Sequence, residues 1–238
     1  MYIKLQARQP QHSTPTGEYG KNMDTRKKKD FDALAAHWDD DPKRVKLAHS
    51  IAGAIRDEVA LKRDMKVLDF GCGTGLLTAA LSPYVGSITG LDSSRGMIER
   101  LSHKIADAGL TNIEPVCADL EQGDRIPGPY DLIVSSMVFH HIRDIQALLT
   151  TIYDLLNTPG TLAVADLDEE GGRFHADATG VFHPGFERNH LRDIFSRAGF
   201  GQIEITTATK IDKPSADGRS TSRFTVFLLT AHRVTGRK

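Results

Sequence analysis

The residues with the clearest chemical potential in this chain stand in one short stretch, where an apolar run ends at an acid and three glycines follow at alternate positions. The acid is Asp69, and the glycines are Gly71, Gly73 and Gly75. Glycine adopts positive φ without strain and lets the backbone approach a ligand closely, so such a turn can present bare N–H groups. The apolar spacing over residues 75–81 then predicts a helix whose electropositive N-terminus faces the same place. The stretch predicts a cofactor-binding loop between a strand and a helix.

The spacing of the glycines excludes two common phosphate-binding loops. A dinucleotide fingerprint, G-x-G-x-x-G, that started at Gly71 would need glycine at position 76, where the chain has Leu76. The Walker pattern G-x-x-x-x-G-K-[ST] does not occur in the chain. The pattern Asp69-x-Gly71-x-Gly73-x-Gly75 instead resembles the first motif of the class I S-adenosylmethionine-dependent methyltransferases. The resemblance implies S-adenosylmethionine as the cofactor.

Two further acids stand at the ends of the next predicted strands. Asp92 closes the strand after the glycine loop, where a carboxylate can accept hydrogen bonds from both hydroxyls of a ribose, a placement that NAD enzymes share. Asp119 closes the strand after that, and the resemblance implies that it accepts from the adenine amino group; a helix N-cap or a turn is its alternative role. The resemblance covers roughly residues 31–238 and implies these cofactor-binding residues: Asp69, Gly71, Cys72, Gly73, Thr74, Gly75, Asp92, Ser93, Asp119, Leu120 and Ser135.

Four histidines are candidates for the acceptor side of a methyl transfer. The reaction needs alignment, exclusion of water and, for an acceptor that is not already nucleophilic, a base. His140 and His141 follow the fourth predicted strand, where acceptors sit in this family, and they could act as base, position the acceptor, or hydrogen-bond the loop. His175 and His183 lie in the connection 168–186, which we predict to be an acceptor lid because structureless loops above ~12 residues are uncommon unless functional.

A cluster of acids stands at the start of that connection, and three histidines follow it. Some O-methyltransferases use a metal site of this general composition to bind catechols. The spacing of the three histidines fits no familiar ligand pattern, and a run of acids is also typical of a solvated turn. We therefore predict no metal. The residues concerned are Asp166, Asp168, Glu169, Glu170, His175, His183 and His190.

The periodicity of apolar residues predicts alternating strands and helices. Such alternation is typical of a parallel sheet with right-handed crossovers and helices on both faces, with ligands at the carboxyl ends of the strands. We predict an α/β fold with a doubly wound, mostly parallel, seven-stranded Rossmann-like sheet. The predicted strands are 66–70, 87–92, 112–118, 130–137, 160–167 and 224–231, and the helices between them are 75–81, 95–108, 144–156 and 187–198.

The N-terminal part divides into a tail and a helical segment. Residues 1–29 are polar and basic and are predicted to be disordered, with Met23 as an alternative start and the basic run 26–29 simply solvated. Residues 30–62 are predicted to form a helical flap at the start of a methyltransferase domain at 30–238. The resemblance implies that this flap covers the cofactor cleft. Trp38 could line the cleft or anchor the flap in the core.

Composition limits the partners that the chain can be expected to have. The chain has 238 residues, of which 39% are hydrophobic, and a net charge of −1, so nothing global favours nucleic acid or an anionic membrane. The two cysteines do not make a disulfide framework, which favours a reducing, cytoplasmic location. No secretory signal and no apolar run of the ~20 residues that a membrane helix needs is present.

These observations predict methyl transfer by in-line displacement to a small-molecule acceptor. No Asn-Pro-Pro-Tyr follows the fourth strand, where residues 135–138 read Ser-Ser-Met-Val, which argues against base or amide N-methylation of that kind. An RNA or protein methyltransferase of the same fold is one alternative. From other classes, an NAD-dependent oxidoreductase and a non-catalytic nucleotide-binding regulator are the alternatives.

Overall fold

A computed structural model describes residues 29–214 and 220–234, so the predicted tail, apart from Lys29, lies outside the described residues. No helix within these two ranges is long and apolar enough to span a bilayer. The helices are α1 (Phe31–Ala35), α2 (Pro42–Glu58), α3 (Leu76–Leu81), α4 (Arg95–Ala108), α5 (Ile145–Leu155) and α6 (Arg188–Arg197). The strands are β1 (Lys66–Phe70), β2 (Ser87–Asp92), β3 (Ile113–Cys117), β4 (Tyr130–Ser136), β5 (Leu156–Leu167), β6 (Phe200–Pro214) and β7 (Thr221–Arg233).

The strands form one seven-stranded sheet in the order β3-β2-β1-β4-β5-β7-β6. The first five strands are parallel, and β7 runs antiparallel to both β5 and β6. The chain leaves β1 toward one edge of the sheet and returns to β4 on the other side of β1. A crevice opens at the carboxyl ends of the strands where the order reverses in this way. The predicted doubly wound, mostly parallel sheet is confirmed.

Helices cover both faces of the sheet. Buried side chains of α2 and α3 pack on one face together with Val67 and Leu132, and those of α5 and α6 pack on the other face together with Leu68 and Ile133. Because adjacent residues of β1 and β4 face opposite helical layers, the middle of each strand is a run of consecutive apolar residues instead of an alternation with polar ones. The two cysteines are free thiols.

Two predicted elements differ from the structure near the far edge of the sheet. The sequence prediction assigned no strand to β6, whose side chains are mostly half-buried or exposed because it is the edge strand. Its conformation comes from pairing along β7, which is also longer than the predicted strand 224–231. The fifth strand begins at Leu156 instead of residue 160, since Leu156 is extended, with ψ 146°, directly after the end of α5.

The N-terminal segment contains the helix signals that the sequence predicted. Asp41 caps α2 by accepting the N–H of Lys43 at 2.9 Å, and Pro42 opens that helix. Between α1 and α2, a 3-10 turn (Trp38–Asp40) turns the chain. Helix α2 packs against α3 and β6, so it is part of the domain core as well as a neighbour of the cleft. A separate function for 30–62 as a flap stays a prediction.

The connection 168–186 is joined to itself at its base. Asp168 pairs with Phe186 as an isolated bridge, and the N–H of Glu169 donates to the carbonyl of Phe186 at 3.0 Å. Arg188 binds both carboxylate oxygens of Asp168, each at 2.7 Å. The two ends are therefore fixed to β5 and α6, and the role of the segment as a lid stays a prediction.

Replacing Gly75 by alanine should destabilise the fold more than the same change at Gly109. Both glycines have left-handed φ, of +79° and +61°, so each pays a similar backbone cost of roughly 1 to 2 kcal/mol. A Cβ at Gly75 would also overlap Cδ1 of Leu101, whereas one at Gly109 meets nothing within 4 Å. The overlap should add about 1 to 3 kcal/mol. Urea denaturation of the two variants measures the difference; equal destabilisation would contradict the packing argument.

Candidate active site

A cavity of about 430 Å³, called the cleft from here on, opens at the carboxyl ends of β1, β2 and β4. Residues of α1 and α2 also line it. Its lining residues fall into two groups according to the elements that carry them. Those on or beside the glycine loop and at the ends of β2 and β3, called the cofactor end, are Asp69, Gly71, Cys72, Gly73, Asp92, Ser93, Asp119 and Leu120. Those on α1, after β4 and in the loop at 180–182, called the acceptor end, are Phe31, Met137, Val138, His141, Ile142, Gly180 and Phe182, of which Val138 also packs against Gly71.

The glycine loop has the predicted shape but different hydrogen bonding. Gly71, Gly73 and Gly75 all have positive φ, of 73°, 54° and 79°. The N–H groups of Gly71 and Cys72 donate to the carbonyl of Leu91, at 2.8 and 2.9 Å. The expectation of bare N–H groups is therefore wrong for this loop, because β2 accepts them. The loop offers close backbone approach instead of a ring of free donors.

Asp92 connects the glycine loop with the end of β2. Its Oδ2 accepts the N–H of Gly73 at 2.9 Å, and its Oδ1 accepts the N–H of Ser94 at 2.8 Å. Burial raises the pKa of the Asp92 carboxyl, although these backbone donors act in the opposite direction. Each oxygen keeps a further lone pair. The carboxylate is thus fixed in orientation and can still accept from a ligand.

Asp69 lies at the floor of the cleft and is almost completely buried, with 1% of its surface exposed. The hydroxyl of Thr78 in α3 donates to its Oδ2 at 2.6 Å. Burial raises the pKa of Asp69 to about 7, and the nearby Asp92 charge acts in the same direction. At neutral pH this acid is therefore close to its midpoint, and a cationic ligand would favour its ionised form.

Asp119 and Leu120 both line the cleft, as predicted. Asp119 is also the N-cap of a 3-10 turn (Leu120–Gln122), because its Oδ1 accepts the N–H of Glu121 at 3.0 Å. The two roles considered for this residue are compatible, since capping uses only part of the acceptor capacity of a carboxylate.

Three of the predicted cofactor residues do not line the cleft. The hydroxyl of Thr74 donates to Oδ1 of Asp39 at 2.5 Å, and that of Ser135 donates to the carbonyl of Phe70 at 2.9 Å. Gly75 forms the last left-handed residue before α3. In β4 the next residue, Ser136, lines the cleft instead of Ser135, because adjacent side chains of a strand point to opposite faces. These three residues therefore contribute to the structure of the loop and of β4, and not to the lining of the cleft.

The sequence prediction missed an acid that fastens α1 to the site. Asp32 accepts the hydroxyl of Ser94 at 2.6 Å and the N–H of Gly96 at 2.7 Å. The hydrogen bond from Ser94 and that from Gly96 lower the pKa of Asp32. The partners are more than sixty positions away in the chain, so no local pattern marked this residue. Asp32, Ser94 and Arg44 all line the cleft.

His141 is the one predicted acceptor-side histidine that lines the cleft among the described residues. Its Nδ1 lies 2.7 Å from the carbonyl oxygen of Gly180. Because a carbonyl only accepts, Nδ1 carries the proton, and Nε2 is the basic nitrogen. Burial lowers the pKa of His141 to about 4, and the neighbouring His140 lowers it as well. The ring is therefore neutral at pH 7.

The other three histidines lie beside the cleft. His140 is 2% exposed and pairs with Asp166, with 2.7 Å between Nδ1 and Oδ1. Nε2 of His183 donates to the carbonyl of Ile142 at 2.9 Å. Nε2 of His175 is buried without a hydrogen-bond partner among the described residues, and burial lowers the pKa of this ring to about 3. The rings of His140, His141 and His175 form one cluster. His183 lies apart from them and connects the segment 168–186 to Ile142.

The predicted acidic and histidine cluster does not converge on one point. Within residues 29–214 and 220–234, no group of three or more histidine, cysteine, aspartate or glutamate side chains is arranged to hold a metal ion. Asp166 pairs with His140, and Asp168 pairs with Arg188.

The geometry of the cleft is that of one class of protein. A glycine loop at the switch point of a parallel sheet, with acids at the ends of the next two strands, is typical of an α/β protein that binds a nucleoside-containing cofactor. Residues 42–204 match the family described as methyltransferase domain. The chain belongs to this methyltransferase domain family, which confirms the resemblance to the class I methyltransferases.

Individual relatives and a solved structure are similar to large parts of this chain. An uncharacterized methyltransferase of Schizosaccharomyces pombe is 32% identical over 160 residues, which are 60% of this chain and 56% of that protein. The malonyl-[acyl-carrier protein] O-methyltransferase of Bacillus cereus is 26% identical over 160 residues, 66% of this chain and 55% of that protein. The chain thus spans about half the length of these curated relatives. The crystal structure of an S-adenosylmethionine-dependent methyltransferase from Aquifex aeolicus covers 85% of this chain and 98% of its own, with a TM-score of 0.63 and 22% identity.

Replacing Asp69 by asparagine should remove a pH dependence of stability. The folded chain keeps a proton on Asp69 up to about pH 7, because burial raises its pKa, whereas the unfolded chain releases it near its usual value of roughly 4. Between these values the folded state binds more protons, so stability falls as pH rises, by up to ~1.4 kcal/mol for each pH unit. Asparagine has the same shape and does not titrate.

The measurement is urea denaturation of both chains at pH 5 and pH 7.5. Every other titratable group is present in both the wild type and Asp69→Asn, so its effect cancels in the difference between their free energies of unfolding. The variant should therefore gain stability relative to the wild type as pH rises. A difference that is the same at both pH values would show that Asp69 does not titrate in this window.

Proposed function

We propose that this chain binds S-adenosylmethionine at the cofactor end of the cleft and transfers its methyl group to a small molecule at the acceptor end. The division of the cleft carries this proposal. Acids and a close backbone turn line one end, and a neutral histidine among apolar and aromatic side chains lines the other. A cationic, nucleoside-containing donor suits the first end, and a nucleophile that must lose a proton away from water suits the second.

At the cofactor end, the residues of the chain bind S-adenosylmethionine and orient it. S-adenosylmethionine supplies the methyl group together with its leaving group, so the protein needs little chemistry there. Asp92 accepts from the ribose hydroxyls, and Asp119 accepts from the adenine amino group. The turn at Gly73 lets the backbone approach the methionine portion, since a Cβ there would meet only Met97 at 3.9 Å, whereas the Cβ position of Gly71 is taken by Val138. Buried Asp69 favours positive charge nearby.

At the acceptor end, His141 acts as the base where the acceptor needs one. The carbonyl of Gly180 holds the proton on Nδ1 and fixes the ring, so Nε2 is the nitrogen that can take a proton. Phe31 packs against this ring with 5.3 Å between ring centroids, and Phe182 lines the same end. These apolar groups limit the access of water to the nucleophile, which favours transfer to the acceptor over hydrolysis.

The size of the cleft and one side chain distinguish the alternatives. A cavity of about 430 Å³ that holds both donor and acceptor favours a small acceptor over a folded RNA or protein surface. Leu76, which lines the cleft, stands at the position of the third glycine of a dinucleotide fingerprint, where glycine is needed for close packing of helix against strand, and this disfavours NAD. A cytoplasmic location and the lack of a nucleic-acid partner stay predictions from composition.

The proposal is tested with cofactor labelled in its methyl group. The chain is first titrated calorimetrically with S-adenosylmethionine, its demethylated product and NAD, and binding of the first two alone is expected. Label transfer is then measured to a panel of phenols, carboxylic acids and amines, with a peptide mixture and total RNA in parallel. Binding of NAD alone, or cofactor binding without transfer to any class, would overturn the enzymatic proposal in favour of one of the other two classes.

Replacing Asp92 by alanine should weaken binding of S-adenosylmethionine by about ten- to a hundredfold or more, because two charge-assisted hydrogen bonds are each worth roughly 1.5 to 3 kcal/mol. The control is Glu99→Ala, which removes an exposed carboxylate from α4 outside the cleft. Calorimetric dissociation constants are compared, with melting temperatures measured on the same samples. A dissociation constant within twofold of wild type for Asp92→Ala would refute the ribose assignment.

Replacing His141 by asparagine should abolish most turnover and leave cofactor affinity alone. The asparagine amide can still donate to Gly180 from the place of Nδ1, but the basic nitrogen is lost, which costs roughly 10²- to 10⁴-fold in rate. His183→Gln is the matched control, since glutamine can keep the donor to Ile142. Initial rates are measured with the acceptor that the labelled panel identifies.

The pH dependence of kcat/KM tests the protonation state of His141. Because the pKa of His141 is about 4, the base is in its neutral form throughout the physiological range, and kcat/KM should show no acid limb from this residue above roughly pH 5.5. An acid limb near pH 6.5 that disappears in His141→Asn would show that the ring titrates as an exposed histidine.

A further inference from the structure

A buried polar pair lies directly behind His141 and outside the cleft. His140 stands on a 3-10 turn (Phe139–His141), and Asp166 stands near the end of β5, with side chains 2% and 0% exposed. Nδ1 of His140 lies 2.7 Å from Oδ1 of Asp166, and the backbone N–H of His140 donates to Oδ2 at 3.2 Å. One carboxylate therefore holds both the main chain and the ring of the residue that precedes the candidate base.

This pair is unlike an ordinary core contact. Burial alone raises the pKa of Asp166, but the neighbouring His140 charge and the hydrogen bonds from His140 and Leu167 lower it below its usual value. A charged group that is completely buried is strongly unfavourable unless its partners are held in good geometry. The proposed reaction uses neither side chain, so the pair needs another explanation.

The main chain of His140 also carries the loop that forms the outer wall of the acceptor end. The N–H groups of Phe182 and His183 both donate to the carbonyl of His140, at 2.9 and 3.2 Å. The ring of His141 donates to Gly180 in the same loop. Two adjacent residues on the turn thus fasten the loop 180–183, and Asp166 fastens the turn to the sheet.

We infer that the Asp166–His140 pair is the positioning element of the acceptor end: it fixes the ring of His141 and the loop 180–183 relative to β5. The inference rests on the proposed function, in which His141 acts on the acceptor. His140 does not line the cleft, so it acts through His141 and is a positioning residue. The pair is expected to affect the acceptor and not the cofactor.

The pKa of His141 depends on the charges around it, so it provides a readout that a purely structural role of His140 in packing would not change. The His140 and His141 rings lie 4.1 Å apart, and the His175 ring lies 6.1 Å from His141. Burial lowers the pKa of His141, the charges of His140 and Lys29 lower it further, and the charge of Asp166 raises it. Removing the His140 imidazole should therefore shift the titration of His141 upward.

Two substitutions at His140 distinguish the effect of its hydrogen bond to Asp166 from the effect of its side-chain volume. His140→Asn places an amide N–H where Nδ1 stands, so it can still donate to Asp166, whereas His140→Leu fills the space without a donor. His190→Leu is the control, because His190 is exposed on α6. Asp166→Asn replaces one carboxylate oxygen by an NH2 group that cannot accept, so it removes the charge and at least one of the two hydrogen bonds to His140 with little change of shape, and it is the second test if His140→Leu does not fold.

Amide hydrogen exchange of Phe182 and His183 measures how firmly the loop is held. Exchange of these two amides should be at least ~10-fold faster than wild type in His140→Leu and in Asp166→Asn, and close to wild type in His140→Asn and His190→Leu, while amides of β1 stay protected in all variants. NMR titration should give a pKa of about 4 for the His141 ring in the wild type and a higher pKa in both His140 variants.

Affinity for S-adenosylmethionine should stay within about twofold of wild type in all variants, since none of the replaced residues lines the cleft. Unchanged exchange of Phe182 and His183 in His140→Leu or Asp166→Asn, or equal exchange in the asparagine and leucine variants, would overturn the inference. These readouts need no acceptor. Failure of methyl transfer in the labelled panel would therefore count against the proposed function alone.

Discussion

The carboxylate of Asp92 is the point on which the cleft depends, because it connects the glycine loop after β1 with the turn after β2. Its oxygens accept N–H groups from the glycine loop after β1 and from the start of α4 after β2. The carbonyl of Leu91, one residue earlier, accepts two more N–H groups of the same loop. The turn through three left-handed glycines is thereby fixed to the neighbouring strand, and the floor of the cofactor end is shaped before any ligand arrives. A preformed site loses less conformational entropy on binding.

The fold could be predicted from the sequence wherever one strand or helix carries its own pattern. Strands β1 and β2 were predicted with their exact bounds, because buried parallel strands are short apolar runs that end at acids or glycines. Strand β6 has no such run, since it lies at the edge and is held by β7. Likewise, the end of α5 depends on Leu156 joining the sheet beside Tyr130, a contact that local periodicity does not contain.

The same distinction applies to the site. Asp69, Asp92 and Asp119 were predicted to belong together because their positions at strand ends follow from topology, and all three line the cleft. Thr74 and Ser135 were grouped with them through the family resemblance, yet their hydroxyls bond to Asp39 and to the carbonyl of Phe70. The contacts made by Asp32 and Asp39 run from the N-terminal segment to α4 and the glycine loop, and only the folded chain brings them together. A motif locates backbone positions well; it does not decide where each side chain points.

The two ends of the cleft also differ in charge, and the proposed function gives this difference a reason. Burial raises the pKa of Asp69 and Asp92, so a positively charged donor placed beside them relieves part of the cost of keeping them ionised. Burial has the opposite effect on His141 and keeps its ring neutral. A protonated ring would repel the donor and could not accept a proton. Low solvent exposure therefore meets two requirements at once, because the same burial favours a cation at one end and keeps a free base at the other.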